Sequence, residues 1–337
     1  MRALLFKAVG KPLEVATLPD PEPNEGEVVV RVSRCGVCGT DLHATSGHGM
    51  TLPPDSTMGH EFGGEVVAIG KNVDRFKLGD HLAAMPVVGC GHCEGCKTGI
   101  DMLCQNGWAQ YGGGLAEYAR VSARGAVKLP KTVSLADSAL VEPLAVGCRA
   151  VRVANPDKDS KVVIIGPGPI GLSVLFWLRQ RGVENIVLLA STGRRKGLAS
   201  KMGGDKFLLE GDGVADEIRS VLGGSPDIVF EAAGVPGVFA RAIDLIRPQG
   251  TIIALGFCMQ PDPIVPAMGL MKDCTIRWSI VYSREDYAAC ADALNNHGDL
   301  ARAMVTETVG FAEAPAAFEN LRAGKDGGGK LLIDPWG

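Results

Sequence analysis

The stretch Val162-Val-Ile-Ile-Gly166-Pro-Gly168-Pro169-Ile170-Gly171-Leu172 decides the fold of the central part of the chain. Four β-branched residues read as a fully buried strand. Three glycines follow in the pattern G-x-G-x-x-G, and a helical apolar run begins at Gly171. Each glycine has its own task. Gly166 permits the tight turn, Gly168 lets the backbone approach a pyrophosphate, and Gly171 lets the helix pack closely on the strand. The free N–H groups and dipole at the helix start suit phosphate oxygens. The stretch therefore predicts dinucleotide binding. Downstream, apolar strands at 186–190, 206–209, 227–230, 250–255 and 275–282 alternate with helical segments such as 171–181 and 237–246, which predicts a parallel, doubly wound sheet.

The end of the second strand selects the dinucleotide. A carboxylate about 20 residues after the glycines would bond the adenosine ribose 2′-OH. Here the position falls at Leu189-Ala-Ser191-Thr192-Gly-Arg194-Arg195-Lys196, which holds no acid. Ser191 and Thr192 can bond phosphate oxygens, and Arg194 or Arg195 can neutralise them. The segment favours NADP(H) over NAD(H). Read instead as a solvated helix start, it leaves NAD(H) open.

Before about Leu144 the texture differs. Short strands at 26–33, 64–70 and 116–121, separated by Gly and Pro, predict an antiparallel, barrel-like domain. Cys90, Cys93, Cys96 and Cys104 fit a closed tetrahedral zinc site, and His92 within that lobe is left over once four thiols fill the shell. A second, dispersed set comprises Cys35, Cys38, Thr40, Asp41, His43, His60, Glu61 and Glu142. One thiolate, one imidazole and a carboxylate from it would bind zinc and leave a position open. After residue 283 come a helix at 286–296 and a final apolar strand at 330–333.

Composition narrows the function classes. The 337 residues carry 34 basic and 38 acidic side chains, a net charge of −4. A nucleic-acid binder would show a basic surplus, and nothing here draws the chain to an anionic membrane. The longest uncharged stretch, 162–178, is shorter than the ~20 residues of a membrane span and contains two prolines. The N-terminus has too short an apolar run for a signal peptide. The reading is a soluble, cytoplasmic protein in which ten cysteines serve metal or packing rather than disulfides. Cys35 with Cys38 could form a redox pair only ahead of a helix on a thioredoxin-like strand, so Cys35 is read as packing. Cys148, Cys258, Cys274 and Cys290 are read as buried small hydrophobes. His81 is read as a satisfied structural histidine and His297 as a histidine near a helix C-terminus. His48, Met50, Met85, Trp108 and Tyr111 are candidates to line a substrate cleft.

In combination, Cys38-Gly-Thr-Asp-Leu-His43, Gly59-His-Glu-Phe62, Gly79-Asp80, the four-cysteine lobe, Gly114-Leu-Ala-Glu-Tyr118, Glu142-Pro143 and the glycine turn resemble the zinc-dependent medium-chain alcohol dehydrogenase family. The branch of sorbitol, threonine and secondary-alcohol dehydrogenases is the most similar. The resemblance covers nearly the whole chain and implies α/β plus β architecture. A GroES-like catalytic domain (1–147 and 285–337) would enclose an inserted Rossmann domain (148–284). It implies one catalytic and one structural zinc per chain, with Cys38 and His60 as catalytic-zinc ligands and Glu61 or Glu142 competing for a further position. Asp41 would orient His60, Thr40 would take the substrate hydroxyl proton, and His43 would pass it to solvent.

The implied reaction is reversible hydride transfer between a small-molecule alcohol, secondary alcohols favoured, and NADP, giving ketone or aldehyde. NAD-dependent polyol or L-threonine oxidation is the alternative within the enzyme class, and a non-catalytic nucleotide sensor the alternative outside it. A sensor would have lost Cys38, His60 or Thr40, and all three are present. The resemblance also implies a homodimer or homotetramer joined near residues 275–282. One departure is His81, where the family usually has Arg after Gly-Asp.

Overall fold

The computed structural model describes residues 1–47 and 52–337; His48 and Met50 lie outside the described residues. The chain forms two compact units, one of residues 1–145 with 283–337 and one of residues 146–282.

The first unit opens with β1 (Arg2–Phe6), β2 (Glu14–Thr17), β3 (Glu27–Gly36), α1 (Gly39–Ser46), β4 (Ser56–Thr57), β5 (Glu61–Ile69), β6 (His81–Ala83) and β7 (Val87–Val88). There follow α2 (Glu94–Lys97), β8 (Ala109–Gln110), β9 (Tyr118–Ser122), β10 (Val127–Lys128) and α3 (Val141–Ala154), which carries the chain into the second unit. The valine-rich β3 is the organising strand. It pairs antiparallel with both β5 and β9. Val28, Val30 and Val32 alternate into a core shared with Phe62, Leu82, Leu331 and Ile333, the period-2 pattern of a pleated strand.

The second unit holds β11 (Val162–Ile165), α4 (Pro169–Gln180), β12 (Ile186–Ala190), α5 (Lys196–Lys201), β13 (Phe207–Leu209), α6 (Val214–Leu222), β14 (Ile228–Glu231), α7 (Val238–Leu245), β15 (Thr251–Ala254), α8 (Pro266–Lys272) and β16 (Thr275–Trp278). Its six strands run parallel in the order β13-β12-β11-β14-β15-β16. Val163, Val187, Val229 and Ile252 pack on Ile218 and Leu222 of α6 and Ile243 of α7. The expected last strand is shorter than its apolar run. It ends at Trp278, level with Ala254 where its partner β15 ends, and Val281 beyond takes a left-handed φ of 41°.

The chain then returns to the first unit through α9 (Arg284–Arg302), β17 (Val305–Gly310), α10 (Ala314–Arg322) and β18 (Lys330–Asp334). The Ser283 hydroxyl accepts the Asp286 N–H at 3.1 Å and caps α9. The helical segment extends to Arg302, but His297 has non-helical backbone (φ −136°) and divides it into two helices, so the first ends beside Asn296 with His297 at its C-terminus as expected. β18 pairs antiparallel with β3 and parallel with β17, completing the order β10-β6-β5-β3-β18-β17. The sheet is otherwise antiparallel, as the short, turn-punctuated strands imply. Among the described residues, no helix is long and apolar enough to cross a membrane.

Candidate active site

Strand register builds the first cluster. Gly36, the last residue of β3, pairs with Glu61, the first of β5. Cys38 and His60 therefore lie just beyond adjacent strand ends. The ligand atoms of Cys38, His60 and Glu61 lie within 4.8 Å of one another. A side chain at position 36 would put its Cβ 2.1 Å from Glu61 Oε2 and so displace that carboxylate. Cys38 is also the N-cap of α1. Its N–H donates to Asp41 Oδ2 at 2.9 Å, while Asp41 Oδ1 lies 3.4 Å from His60 Nδ1. Asp41 thus ties the helix start to the imidazole. Burial pushes the His60 pKa down, but Asp41 and Cys38 outweigh it and raise the group well above its usual value. Thr40 is half-buried and His43 exposed on α1. At a spacing of three they share a helix face.

Glu61 is fully buried and its Oε1 accepts from Lys330 Nζ at 2.6 Å. Lys330, 2% exposed, also donates to the Val37 carbonyl at 3.2 Å. Glu61 Oε2 is buried and has no protein partner. A buried carboxylate oxygen is costly to leave unpaired. Beside a thiol and an imidazole it completes the N, S and O donors that zinc takes. Glu142 is buried on the first turn of α3, and its charge reaches Lys330 and Tyr287. It is not among the three grouped ligand atoms.

The four-cysteine lobe fits zinc on distance. Tetrahedral Zn–S bonds of ~2.3 Å put sulfurs ~3.8 Å apart, and here Cys93 and Cys104 are 3.8 Å apart and Cys90 and Cys96 4.0 Å. The Cys90 and Gln105 N–H groups donate to the sulfurs of Cys104 and Cys93, which favours thiolates. The His92 backbone beside Cys90 holds its thiol down to about 5, whereas burial pushes Cys96 up to about 12. The His92 ring is exposed, with Nδ1 3.1 Å from the Cys90 carbonyl.

In the second unit, a Cβ at Gly166 would lie 2.7 Å from the Ala233 nitrogen, and one at Gly171 would lie 2.3 Å from the Gly166 carbonyl oxygen. At Gly168 a Cβ would meet nothing within 4 Å. Packing thus demands two of the glycines, and the third faces the open space a pyrophosphate needs. Pro169 and Ile170 open α4. After β12, Ser191, Thr192 and Arg194 are exposed and Arg195 half-buried. Glu210, the acid following β13, pairs with Arg241 at 3.0 Å.

Several sequence expectations change. Cys148, Cys258 and Cys274 are half-buried rather than core, and only Cys290 is buried. His81 Nδ1 is buried without a partner, so that histidine is not satisfied. Met85 is buried in the core, which gives it a packing role; Tyr111 is half-buried and donates to Glu27, and Trp108 is exposed. Cys35 is buried and its thiol lies beside Gly59, as packing requires. Lys330 and Glu231 were not anticipated. The available signal was a lone charge at the end of an apolar strand, in Lys330-Leu-Leu-Ile and Ile228-Val-Phe-Glu231.

A glycine turn opening a doubly wound sheet, together with two donor clusters suited to zinc, defines a zinc-binding, dinucleotide-dependent dehydrogenase as the class. Comparison with known proteins agrees. Residues 24–131 match the alcohol dehydrogenase GroES-like domain and residues 169–296 the zinc-binding dehydrogenase domain. The chain is 30% identical to (R,R)-butanediol dehydrogenase of Bacillus subtilis over 89% of its length and 90% of that protein. It is 31% identical to a probable D-xylulose reductase A of Aspergillus clavatus, over 95% and 91%. Among solved structures, the RspB alcohol dehydrogenase of Escherichia coli complexed with NADH superposes with a TM-score of 0.90 at 27% identity, covering 99% of both chains. A zinc-binding dehydrogenase of Sinorhizobium meliloti bound to NADP gives 0.90 at 29% identity, again over 99% of both. The chain belongs to the zinc-dependent medium-chain alcohol dehydrogenase family, and it is an enzyme acting on alcohols or polyols.

Proposed function

We propose that the chain catalyses reversible hydride transfer between a secondary alcohol and NADP(H). The observation that carries the metal-site reading is the buried, unpaired Glu61 Oε2 beside Cys38 and His60. When bound, zinc supplies Lewis acidity toward the substrate hydroxyl and the nicotinamide supplies the hydride acceptor. The chain's own side chains do the rest. Cys38, His60 and Glu61 hold the metal, with Glu142 in reserve. Asp41 fixes the His60 tautomer, since a carboxylate at Nδ1 leaves Nε2 as the ligand atom. Thr40 Oγ1 takes the substrate proton, and His43 on the same face of α1 moves it to solvent. Cys90, Cys93, Cys96 and Cys104 hold a second, structural zinc.

The preference for NADP(H) rests on Ser191, Thr192, Arg194 and Arg195 and on the lack of any acid between Leu189 and Lys196. Reduced-nicotinamide absorbance, followed with secondary alcohols, polyols, L-threonine and the matching ketones, tests both parts. Turnover confined to NAD(H) overturns the cofactor reading, and turnover confined to polyols or threonine overturns the substrate reading. Cys38→Ser with intact turnover would overturn the metal mechanism.

We also propose that the protein works as a homo-oligomer joined at β16. Among the described residues that strand pairs only with β15, so one backbone edge lacks a neighbour. Trp278 on it is 69% exposed, and Leu270 and Met271 of α8 are 79% and 82% exposed. A second copy adding its own β16 would satisfy the edge and cover the apolar residues. Sedimentation of Trp278→Lys as a monomer, against an assembled parent, is the expected result; a monomeric parent refutes it.

A further inference from the structure

Glu231 is the last residue of β14 and is 1% exposed. Its carboxylate has no cationic partner among the described ion pairs, but it accepts three backbone N–H groups. Oε1 takes those of Ala233 at 2.9 Å and Gly234 at 2.7 Å, and Oε2 takes that of Gly256 at 3.1 Å. The first two lie in the turn after β14 and the third follows β15. One side chain therefore clamps the tips of two neighbouring strands.

The tips themselves are packed without room for side chains. A Cβ at Gly234 would lie 2.8 Å from the Phe257 nitrogen, and one at Gly256 would lie 2.3 Å from the Gly234 nitrogen. The clamp also reaches the phosphate-binding turn, because Gly166 packs against Ala233. Register places Glu231 level with Ile165 and Ala254, the last residues of the flanking strands.

Strand order says which part of the ligand lies there. The order β13-β12-β11-β14-β15-β16 reverses between β11 and β14. A dinucleotide lies across that switch point at the carboxyl ends of the strands, one mononucleotide half on each side. The adenosine half belongs to the β11–β13 side, where Ser191 to Arg195 follow β12. The nicotinamide half then belongs to the tips of β14 and β15, which Glu231 clamps.

We infer that Glu231 is a positioning residue for the nicotinamide half of the cofactor, acting through the 232–234 and 256–257 backbone rather than by contact; the inference rests on the dinucleotide reading above. The Gly256 N–H is shared with the Glu231 main-chain carbonyl at 2.9 Å, whereas the Ala233 and Gly234 N–H groups take the carboxylate as their acceptor. The carboxylate serves them from both oxygens. A glutamine offers one oxygen to Ala233 and Gly234 and turns its NH₂ toward the Gly256 N–H, which is left with the main-chain carbonyl alone, so the side-chain tie between the two tips is lost. An aspartate is one methylene too short to reach both tips.

The test separates the two halves of the ligand. Calorimetric binding to Glu231→Gln and Glu231→Asp is measured with NADPH and with 2′,5′-ADP, and in parallel with NADH and ADP. The whole dinucleotide is expected to bind about 10-fold or more weaker, the loss of a charge-assisted hydrogen bond. The adenosine fragment stays within about twofold. The fluorescence change of reduced nicotinamide on binding shrinks in the same variants. Equal weakening of fragment and whole would make Glu231 a general support of the unit and overturn the inference, as would no change in either. Which pair binds reports the cofactor preference separately, so failure of that preference is not mistaken for failure of this inference. If Glu231→Gln does not fold, the same comparison is read from Glu231→Asp.

Discussion

Replacing Lys330 with methionine isolates the most unusual electrostatic feature of the first unit. The side chains of Lys330 and Glu61 are 2% and 0% exposed and meet at 2.6 Å. At an effective dielectric of ~20, two unit charges at that separation attract by about 6 kcal/mol, and desolvation of both offsets part of it. Methionine keeps the stem and removes the charge, leaving Glu61 Oε1 as unpartnered as Oε2 already is. Removing one member of a buried pair costs ~3–5 kcal/mol. Urea unfolding of metal-free protein is expected to show that loss as a lower midpoint at unchanged slope. The double variant Lys330→Met, Glu61→Gln should recover much of it, because no charge is stranded. In zinc-loaded protein the single variant should lose less, since a cation on Oε2 compensates the remaining carboxylate. A loss below ~1 kcal/mol, the scale of a solvated surface pair, would refute the claim that the pair is desolvated. An identical loss with and without zinc would remove Glu61 from the metal site and leave Glu142 as the carboxylate.

Three further outcomes are expected. Arg194→Ala with Arg195→Ala should weaken NADPH binding by ~10–100-fold through lost charge-assisted bonds and leave NADH nearly unchanged, as measured by calorimetry. Cys104→Ser should lower the zinc content by one ion per chain and open the 89–105 segment to proteolysis, read by metal analysis and mass spectrometry. Asp227 accepts the Lys161 N–H at 2.8 Å and Arg247 Nε at 2.5 Å. Burial pushes its pKa up, but those two donors outweigh it and hold the carboxyl below its usual range. A depressed carboxylate pKa contributes stability that is complete above the unfolded value of ~4 and lost as pH falls through the folded value. Asp227→Asn should therefore cost ~1–2 kcal/mol at neutral pH, with the gap to the parent closing in acid.

What the sequence made legible was local chemistry. The glycine turn could be read because its three glycines, the strand before them and the helix after them fall in one short run, and the lobe because four thiols fall within fifteen residues. Strand alternation in the second unit was legible for the same reason. Long-range partnership was not. Lys330 is 269 positions from Glu61, and a lone charge at the head of an apolar strand does not name its partner. Glu231 opposes Gly256 across two strands, and only the sheet order makes them neighbours. The strand expected through 282 stopped at Trp278 because its partner β15 ends opposite, at Ala254, a limit that the apolar run itself does not show.

The position of Lys330 explains why the first unit needs both ends of the chain. β3 and β5 alone bring Cys38, His60 and Glu61 together, since register sets those neighbours. That arrangement strands a carboxylate at 0% exposure, which is costly without a partner. β18 supplies the missing cation. Its pairing of Leu332 with Gly36 and Ile333 with Cys35 lays Lys330 along the extension of β3, where Nζ reaches both Glu61 and the Val37 carbonyl. The C-terminal return is thus an electrostatic requirement of the site as well as an edge for the sheet. Lys330 pairs one oxygen of Glu61 and leaves the other free for the ion proposed above.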